Sequence, residues 1–488
     1  MHPQNGMRVP LFVSLLITLL LTASCSVGPK YRTPSAPVPP AYKQAVDGWK
    51  EAHPQDGTIR GIWWEMFVDP QLNALEEQVD ISNQTLAVAE AQFRSARAAI
   101  RVARSDLFPT VTTTFTATKF RTSPGGLTTG TRLSSGTFYT LPFDVSYEAD
   151  LWGRVRNTVQ SQIATAQASA ADLETARLSI HAELATDYLQ LRGLDEQQRL
   201  FDATVAAYER ALELTMNRYN EGVSSGVDVA QAQTQLETAR AQALDIRIAR
   251  AQFENAIAIL IGKPPAELTI PPGSLAVNPP VIPIGLPSEL LERRPDIAGS
   301  ERRVASANAQ IGVAKSAFFP TLTIAASGGV ESSSIGTLLS LPNRFWSIGP
   351  VFAQTLFDAG RRKAMTAETE AVYDSTVGAY RQAVLSALQE VEDNLAALRI
   401  LSDEATQQDL AIQAAQRSLD LAMNRYRGGI TIYLEVITAQ NALFANQRTG
   451  IDIRTRRMTA SVRLVKALGG GWNSSTLPSP SSLISGKP

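Results

Sequence analysis

The chain has 488 residues, of which 44% are hydrophobic and 19% are charged, so it contains enough apolar material to bury a large core. Its 45 lysines and arginines against 46 aspartates and glutamates give a formal net charge of −1, which argues against a nucleic-acid partner. Three histidines and one cysteine leave no material for a zinc site, a disulfide framework or a Cys/His nucleophile pair. The sequence also lacks a phosphate-binding glycine loop and a credible Ser/His/Asp arrangement, so it predicts no cofactor, no metal and no enzymatic activity.

The N-terminus has the pattern of an export signal followed by a tether. Residues 1–24 place Arg8 ahead of an apolar stretch too short to span a membrane in the mature protein, and they are predicted to be a signal peptide. The segment Leu21–Cys25 resembles a bacterial lipoprotein signal, which implies lipidation at the cysteine, although Thr22 replaces the usual aliphatic residue. An ordinary secretory signal with an incidental cysteine is the alternative. Residues 25–60 are rich in Pro, Gly and Ser and are predicted to form a lipidated, extended tether.

Residues 61–262 contain three successive patterns. Asp69 has the context of a helix N-cap, and the helix after it is expected to run to about Asp106. Residues 110–151 alternate apolar and polar side chains on either side of a Gly/Ser-rich loop, which predicts a β-hairpin. Residues 154–261 contain no proline and carry a heptad seam, which predicts a long helical hairpin whose first helix is ~100 Å long if unbroken.

The chain is a tandem duplication. Ser306–Thr321 repeats much of Ser95–Thr110, and Leu419–Tyr426 repeats much of Leu212–Tyr219. Repeats of this kind decide the architecture, because the second copy is expected to fold as the first does.

The second copy follows a proline-rich linker at residues 263–287. Residues 288–468 are predicted to form a helix, a β-hairpin at 321–357 and a long helical hairpin at 360–468. The Ser- and Pro-rich tail at 469–488 is predicted to be disordered.

The two β-hairpins have two interpretations. Their alternation fits half of a soluble β-sandwich as well as it fits tilted membrane-spanning strands of ~9–11 residues. Two hairpins leave two open sheet edges, and lipid does not tolerate unpaired backbone groups. If the hairpins lie in a membrane, several chains must therefore pool their strands into one closed barrel, which would place the helical hairpins side by side in a cylinder. The combination of strands and coiled coils favours this membrane outlet.

Several separated blocks resemble the TolC-like outer membrane efflux proteins, in the OprM-like, NodT-type lipoprotein branch. The blocks are Cys25–Tyr31, Trp63–Trp64, Tyr147–Arg154, Gly285–Ile297 and Tyr433–Gln440. The resemblance implies an α+β membrane protein, a trimer whose 12-stranded β-barrel takes four strands from each chain and continues into a long α-helical coiled-coil barrel in the periplasm. It also implies a lipid-anchored, barrel-inserted protein of the cell outer membrane.

The resemblance implies a function and a set of partners. The function is a passive exit duct for drugs or other small amphipathic molecules in a tripartite efflux system. The partners are two further copies of the chain, a periplasmic adaptor, an inner-membrane transporter of the RND type and outer-membrane lipid. Two alternatives stay open at this point: an outlet for type I protein secretion, and a non-conducting coiled-coil scaffold lipoprotein.

Three groups of residues are candidate functional or structural sites. By resemblance, the helical-hairpin tips contact the adaptor through Arg218, Tyr219, Gly222, Val223, Arg425, Tyr426, Gly429 and Ile430. By resemblance too, a periplasmic gate involves Glu435, Thr438, Asp228, Tyr433 and Leu434. Thr438 stands where the family often has an aspartate. For the acids of the gate the alternative interpretation is that they are ordinary surface residues, and for the tips it is that the residues only form the turns. A structural role at a helix entry, with the acid near the helix dipole, fits Arg293, Arg294, Pro295 and Asp296 better than a catalytic role does.

Overall fold

The computed structural model describes residues 27–44, 62–121, 135–275, 278–282 and 287–485. The predicted signal peptide and the predicted lipidation site Cys25 lie outside these residues. Short 3₁₀ helices occur at Trp63–Phe67, Pro265–Glu267, Pro287–Glu289, Ile335–Thr337, Leu341–Asn343 and Ser474–Thr476.

The described part of the predicted tether lies against the body of the protein. The carbonyl oxygen of Pro29 accepts a hydrogen bond from Asn308 Nδ2 at 2.9 Å, and the Tyr31 hydroxyl donates to the Glu301 carboxylate. The backbone N–H of Lys43 donates to Glu392 at 2.6 Å. Residues 27–44 of the predicted tether are therefore fixed along the helices of the second repeat by long-range hydrogen bonds, which the composition of the segment did not indicate.

The first helix of the first repeat is interrupted, which was not predicted. The helix expected to reach Asp106 is two helices, α1 (Pro70–Ser82) and α2 (Gln84–Ser105), which meet at Asn83. The Asn83 side chain accepts from Leu86 N at 3.0 Å and donates to Leu260 O at 2.7 Å, so it caps α2 and attaches the break to the neighbouring helix. Asp69 caps α1 as predicted, accepting from Gln71 N and Leu72 N.

The strands form one antiparallel sheet. Its members are β1 (Thr110–Thr113), β2 (Thr116–Arg121), β3 (Ser135–Ala149), β4 (Thr321–Ser332) and β5 (Arg344–Ala353). The order is β1-β3-β4-β5. β2 continues in line with β1 and pairs with the same edge of β3. The two predicted hairpins are therefore adjacent in the sheet. Among the described residues, neither the β1/β2 edge nor the outer edge of β5 has a partner strand.

The second hairpin ends earlier than predicted. The sequence placed its end at residue 357, whereas β5 ends at Ala353. The residues after β5 form the start of the next long helix. Asp358 accepts a hydrogen bond from Arg362 N at 3.2 Å, and Gly360 has a φ of 87°. Leu356 and Phe357 are strongly exposed in this connection.

The long helices match between the repeats. In the first repeat α3 (Arg154–Asn220) has 67 residues and α4 (Gly226–Leu260) has 35. After α5 (Leu290–Arg293) and α6 (Pro295–Ser316), the second repeat has α7 (Arg361–Arg427) and α8 (Tyr433–Ala467), again with 67 and 35 residues. This equality confirms the duplication inferred from the sequence. None of the helices described by the structure has the length and apolarity needed to cross a membrane.

The two repeats share a central core, halfway between the sheet and the hairpin tips. It includes Trp63, Trp64, Leu72, Tyr188, Ile257, Ile297, Val391 and Leu464. Just below it along α3, Gly193 allows α8 to approach closely, because a Cβ on this glycine would lie only 2.4 Å from Thr455 Oγ1. The core and this close crossing fix the hairpins relative to each other at their midpoints.

The tail is ordered through residue 485, contrary to the prediction for 469–488. Three consecutive glycines, Gly469 to Gly471, adopt positive φ values and turn the chain back after α8. The tail ends in α9 (Pro480–Ser485), whose Leu483 is only 2% exposed and packs between α2 and α3. The Gln167 amide donates to Pro478 O at 3.0 Å. Composition suggested disorder, but one buried leucine and long-range hydrogen bonds hold the segment.

Candidate functional site

The turns at the two helical-hairpin tips have the same construction. In each, a glycine with positive φ ends the long helix: Gly222 at 76° and Gly429 at 72°. The residue after each glycine donates its N–H to a carbonyl five positions back, with Val223 to Arg218 at 2.8 Å and Ile430 to Arg425 at 2.9 Å. This is the glycine-terminated helix end that satisfies the last carbonyl groups. A Cβ on either glycine would meet no atom within 4 Å, so only the backbone conformation requires glycine here.

The tips expose apolar side chains. Tyr219, Val223 and Ile430 all project from the turns, and Ile430 is 73% exposed. Exposed apolar groups at the end of a molecule are a surface on which another protein can pack. These three residues are the exposed apolar side chains of the predicted adaptor-contacting set, of which Gly222, Arg425 and Gly429 are exposed as well.

Tyr426, from the same predicted set, is instead buried between the two tips. Its ring lies 5.3 Å from that of Tyr433, and the Arg218 guanidinium lies 4.7 Å from the Tyr426 ring centroid. The Tyr426 hydroxyl is 3.3 Å from Ser224 Oγ and 3.5 Å from Thr215 Oγ1. This tip cluster, made of Arg218, Thr215, Ser224, Tyr426 and Tyr433, joins the first hairpin to the second. Sequence reasoning did not identify Ser224, one of several polar residues in the turn, or Thr215, one of several polar residues on α3.

The predicted gate residues fall into two groups. Glu435 lies in the first turn of α8 with its carboxylate 3.7 Å from Arg425 Nη1, and Leu434 is half exposed beside it. Thr438 is also exposed and donates its hydroxyl proton to Leu434 O at 2.9 Å. Tyr433, by contrast, is 2% exposed, and its burial raises the pKa of its hydroxyl to about 12. Tyr433 therefore belongs to the interface between the hairpins, whereas the side chains of the other three are exposed in the single chain.

Asp228 has a local structural role. Its carboxylate accepts from the backbone N–H of Ser225 at 3.1 Å, and its own N–H donates to Ser225 Oγ at 3.2 Å. These two bonds form a capping box at the start of α4. The carboxylate also accepts from Ser224, which connects this cap to the tip cluster.

The Arg-Arg-Pro-Asp segment has the position predicted for it. Pro295 starts α6 and Asp296 lies in its first turn. The buried Arg294 donates to Asp296 at 2.7 Å, to Glu390 at 2.7 Å and to Ala467 O at 3.1 Å. Arg293 pairs with Glu289 at 2.9 Å. Through these hydrogen bonds Arg294 connects the N-terminus of α6 to α7 and to the C-terminus of α8.

Comparison with known proteins decides the family. The sequence profile described as "Outer membrane efflux protein" matches residues 75–263 and 286–470. The chain belongs to this family. It is 34% identical to the probable efflux pump outer membrane protein TtgC of Pseudomonas putida, over 95% of this chain and 96% of that protein. It is 33% identical to the outer membrane protein OprJ of Pseudomonas aeruginosa, over 96% of this chain and 97% of that protein.

The fold of this efflux protein is that of known outer-membrane channels. The solved structure of the outer-membrane channel OprN superposes with a TM-score of 0.85 at 30% identity, covering 92% of this chain and all of that one. The resemblance to TolC-like proteins is thereby confirmed. The chain is an efflux channel of the outer membrane that extends into the periplasm, and it belongs to a class of channels rather than of enzymes. Among the described residues, no cluster of three or more His, Cys, Asp or Glu could hold a metal ion.

The efflux protein also contains a buried polar cluster that sequence reasoning missed. His181 Nδ1 lies 2.6 Å from Glu76 Oε2, and the imidazole stacks on Trp64 with ring centroids 4.4 Å apart. Both Glu76 and His181 are almost completely buried. Desolvation raises the pKa of Glu76 to about 7, and the hydrogen bond to His181 opposes this rise. The only sequence signal was the Trp63–Trp64 pair, which gave no indication of the acid and the histidine behind it.

Proposed function

We propose that three copies of the chain form one exit duct through the outer membrane. The observation that carries this proposal is the sheet with two unpaired edges in the described residues. Because β1 and β2 occupy one position beside β3, each chain offers four strand positions, and three chains would close a 12-stranded barrel. Closure would pair every edge, as a lipid environment requires.

The helices support the same assembly. Apolar side chains that are unpartnered within one chain occur on α4, at Leu244 and Ile248, and on α7, at Leu410 and Leu421. Burying these faces against neighbouring copies would complete the coiled-coil seams. The result is a 12-helix tunnel about 100 Å long, the length of a 67-residue helix.

The duct would serve a tripartite efflux system. The substrates would be drugs or other small amphipathic molecules, delivered by an inner-membrane transporter of the RND type through a periplasmic adaptor. The relative TtgC is described as a probable efflux pump protein, and the exposed tip residues Tyr219, Val223 and Ile430 offer the adaptor an apolar contact. Acylation of Cys25 would add a lipid anchor, and it predicts that a Cys25→Ser protein loses incorporation of labelled palmitate.

Efflux is tested by dye accumulation in cells that lack the gene. The wild-type gene should restore low retention of a fluorescent efflux dye, whereas Val223→Glu and Ile430→Glu should restore it poorly because they place charge on the adaptor-contacting surface. The matched control is Ile81→Glu, which alters an exposed isoleucine at the end of α1 and should restore efflux fully. Unchanged dye retention on deletion of the gene would contradict the drug-outlet function. Full efflux by both tip variants, with normal trimers, would contradict the adaptor contact.

The gate is formed by the exposed group Glu435, Leu434 and Thr438, with Arg425 holding the Glu435 carboxylate. Acids around a constriction favour cations over anions. In planar bilayers we expect Glu435→Ala to reduce cation selectivity and to raise the resting leak. Asp228→Asn is the comparison, since that acid is engaged in the cap of α4 and should affect selectivity less. If Glu435→Ala changes neither quantity, this residue is not part of the gate.

A further inference from the structure

A cavity beside the central core has no role in the duct proposed above. Its volume is about 940 Å³, and its walls come from the Trp63–Phe67 turn, α1, α2, α3 and the tail. The interior is mainly apolar, with Trp63, Trp64, Phe93, Leu173, Leu178 and Trp472 among the lining side chains. Besides α3, the lining residues come from both ends of the chain, before α3 and after α8. Its size and apolar lining are typical of cavities that hold small organic molecules.

The tryptophans contribute apolar surface to the cavity rather than hydrogen-bond donors. In the part of the chain that the structure describes, the indole nitrogens of Trp64 and Trp472 have almost no accessible surface, so a molecule in the cavity cannot reach them. Trp64 is 5% exposed as a residue and stacks on His181, which pairs with Glu76.

The rim of the cavity carries a negative charge. Asp80 and Glu174 both pair with Arg177, at 3.0 and 2.7 Å. Glu65 and Glu77 also line the cavity, and no ion pair involves either of them among the described residues. Carboxylates without a basic partner among the described residues, in a cavity that tryptophans also line, favour a cation.

The tail is held in place as one wall of the cavity. A Cβ on Gly469 would lie 2.0 Å from Arg293 O, and one on Gly470 would lie 2.3 Å from Leu178 Cδ1. The glycines therefore press the tail onto α3 and the end of α5. This contact positions Trp472 opposite the Trp63–Trp64 turn, so the wall is preformed.

We propose that this cavity binds an amphipathic organic cation. The apolar body of the ligand packs among the tryptophans, and its cationic group lies near Glu65 and Glu77. The apolar lining and the charge complementarity together select this class over neutral apolar molecules and over anions. The site is a lateral binding site of one protomer and does not depend on conduction through the duct.

The probe for the test is rhodamine 6G, a fluorescent aromatic cation with an ester carbonyl. The full-length protein is placed in phosphatidylcholine nanodiscs, and binding is followed by fluorescence polarisation with empty nanodiscs as the blank. We expect saturable binding of one dye per chain. Rhodamine B has nearly the same body but a free carboxylate, and we expect it to bind at least about fivefold more weakly because its net charge is zero.

Variants locate the dye. Glu65→Gln/Glu77→Gln should weaken rhodamine 6G binding by about tenfold. Glu213→Gln/Glu221→Gln removes the same charge from exposed positions near the tip and should leave the affinity unchanged. Circular dichroism and trimer formation must match the wild type for every variant. Absence of saturable binding, equal binding of rhodamine B, or unchanged affinity in Glu65→Gln/Glu77→Gln would each overturn the proposal.

Discussion

The close crossing of α3 and α8 can be tested by placing one methyl group in it. Gly193→Ala adds a Cβ that would lie 2.4 Å from Thr455 Oγ1 and 2.9 Å from Thr455 Cγ2. Both distances are shorter than any ordinary contact, so α3 and α8 must move apart or Thr455 must change its rotamer. The substitution therefore changes the packing of the two hairpins at their midpoint.

Two effects of opposite sign set the magnitude. Alanine is better than glycine inside a helix by about 1 kcal/mol, which favours the variant. Overpacking of a well-packed site costs about 1–3 kcal/mol, which opposes it. We expect a net destabilisation of up to about 2 kcal/mol. In a Thr455→Ala background the two nearest atoms are absent and the remaining Cβ is 3.2 Å away, so the same Gly193→Ala change should become neutral or stabilising.

The assay is denaturant unfolding of the detergent-solubilised protein at fixed concentration, followed by circular dichroism. Gly378→Ala is the matched control, because Gly378 lies within α7 and a Cβ there meets no atom within 4 Å. It should stabilise by about 1 kcal/mol through helix propensity alone. The double-mutant cycle should give a coupling energy of about 1–3 kcal/mol between positions 193 and 455. If Gly193→Ala stabilises as much as Gly378→Ala does, the two helices are not in the tight contact described.

Three further predictions concern other parts of the molecule. Because burial raises the pKa of Glu76 from 4.5 to about 7, its contribution to stability is complete below pH 4.5 and is lost as pH rises through 7, by up to about 3 kcal/mol. Glu76→Gln should therefore flatten the decline in thermal stability over this range, and an unchanged pH profile would contradict the buried-acid assignment. Leu483→Ala should release the tail, so limited proteolysis should remove it faster than in Leu477→Ala, whose side chain is already partly exposed; equal rates would show that α9 is not anchored by Leu483. Tyr426→Phe keeps the ring but removes the hydroxyl near Ser224 and Thr215, which should weaken the tip cluster by about 1 kcal/mol and raise resting conductance, whereas a wild-type conductance would exclude a closing role for this hydroxyl.

Periodic patterns made the main elements of the fold predictable. The alternation along residues 140–151 identified most of β3, and the absence of proline in 154–261 identified α3 and α4. The internal repeat then supplied the second half, because duplicated sequence adopts the same structure. The glycines at 222 and 429 were also readable, since a turn between two long helices requires a residue that accepts positive φ.

Features that depend on distant contacts were not predictable. The Glu76–His181 pair joins residues 105 positions apart, and the order of the tail depends on Leu483 meeting α2 and α3. The break at Asn83 resembles any polar position in a helix until its amide is seen to reach Leu260. The packing of the Tyr433 ring against Tyr426 was not predicted either, because a heptad seam does not reveal which neighbour covers each side.

The equal lengths of corresponding helices in the two repeats restrict how the duct can change its reach. One residue inserted in α3 would lengthen that arm by about 1.5 Å and rotate everything beyond it by about 100°, which would move the apolar seam out of contact. In each repeat a helix of 67 residues leads to the hairpin tip and a helix of 35 residues leads away from it. The two tips must also lie at the same level, because the tip cluster joins them. A change that preserves every heptad seam therefore adds or removes whole heptads in all four arms together, which changes the length of the helical hairpins in steps of about 10.5 Å. The periplasmic span that this protein can bridge is in that sense quantised.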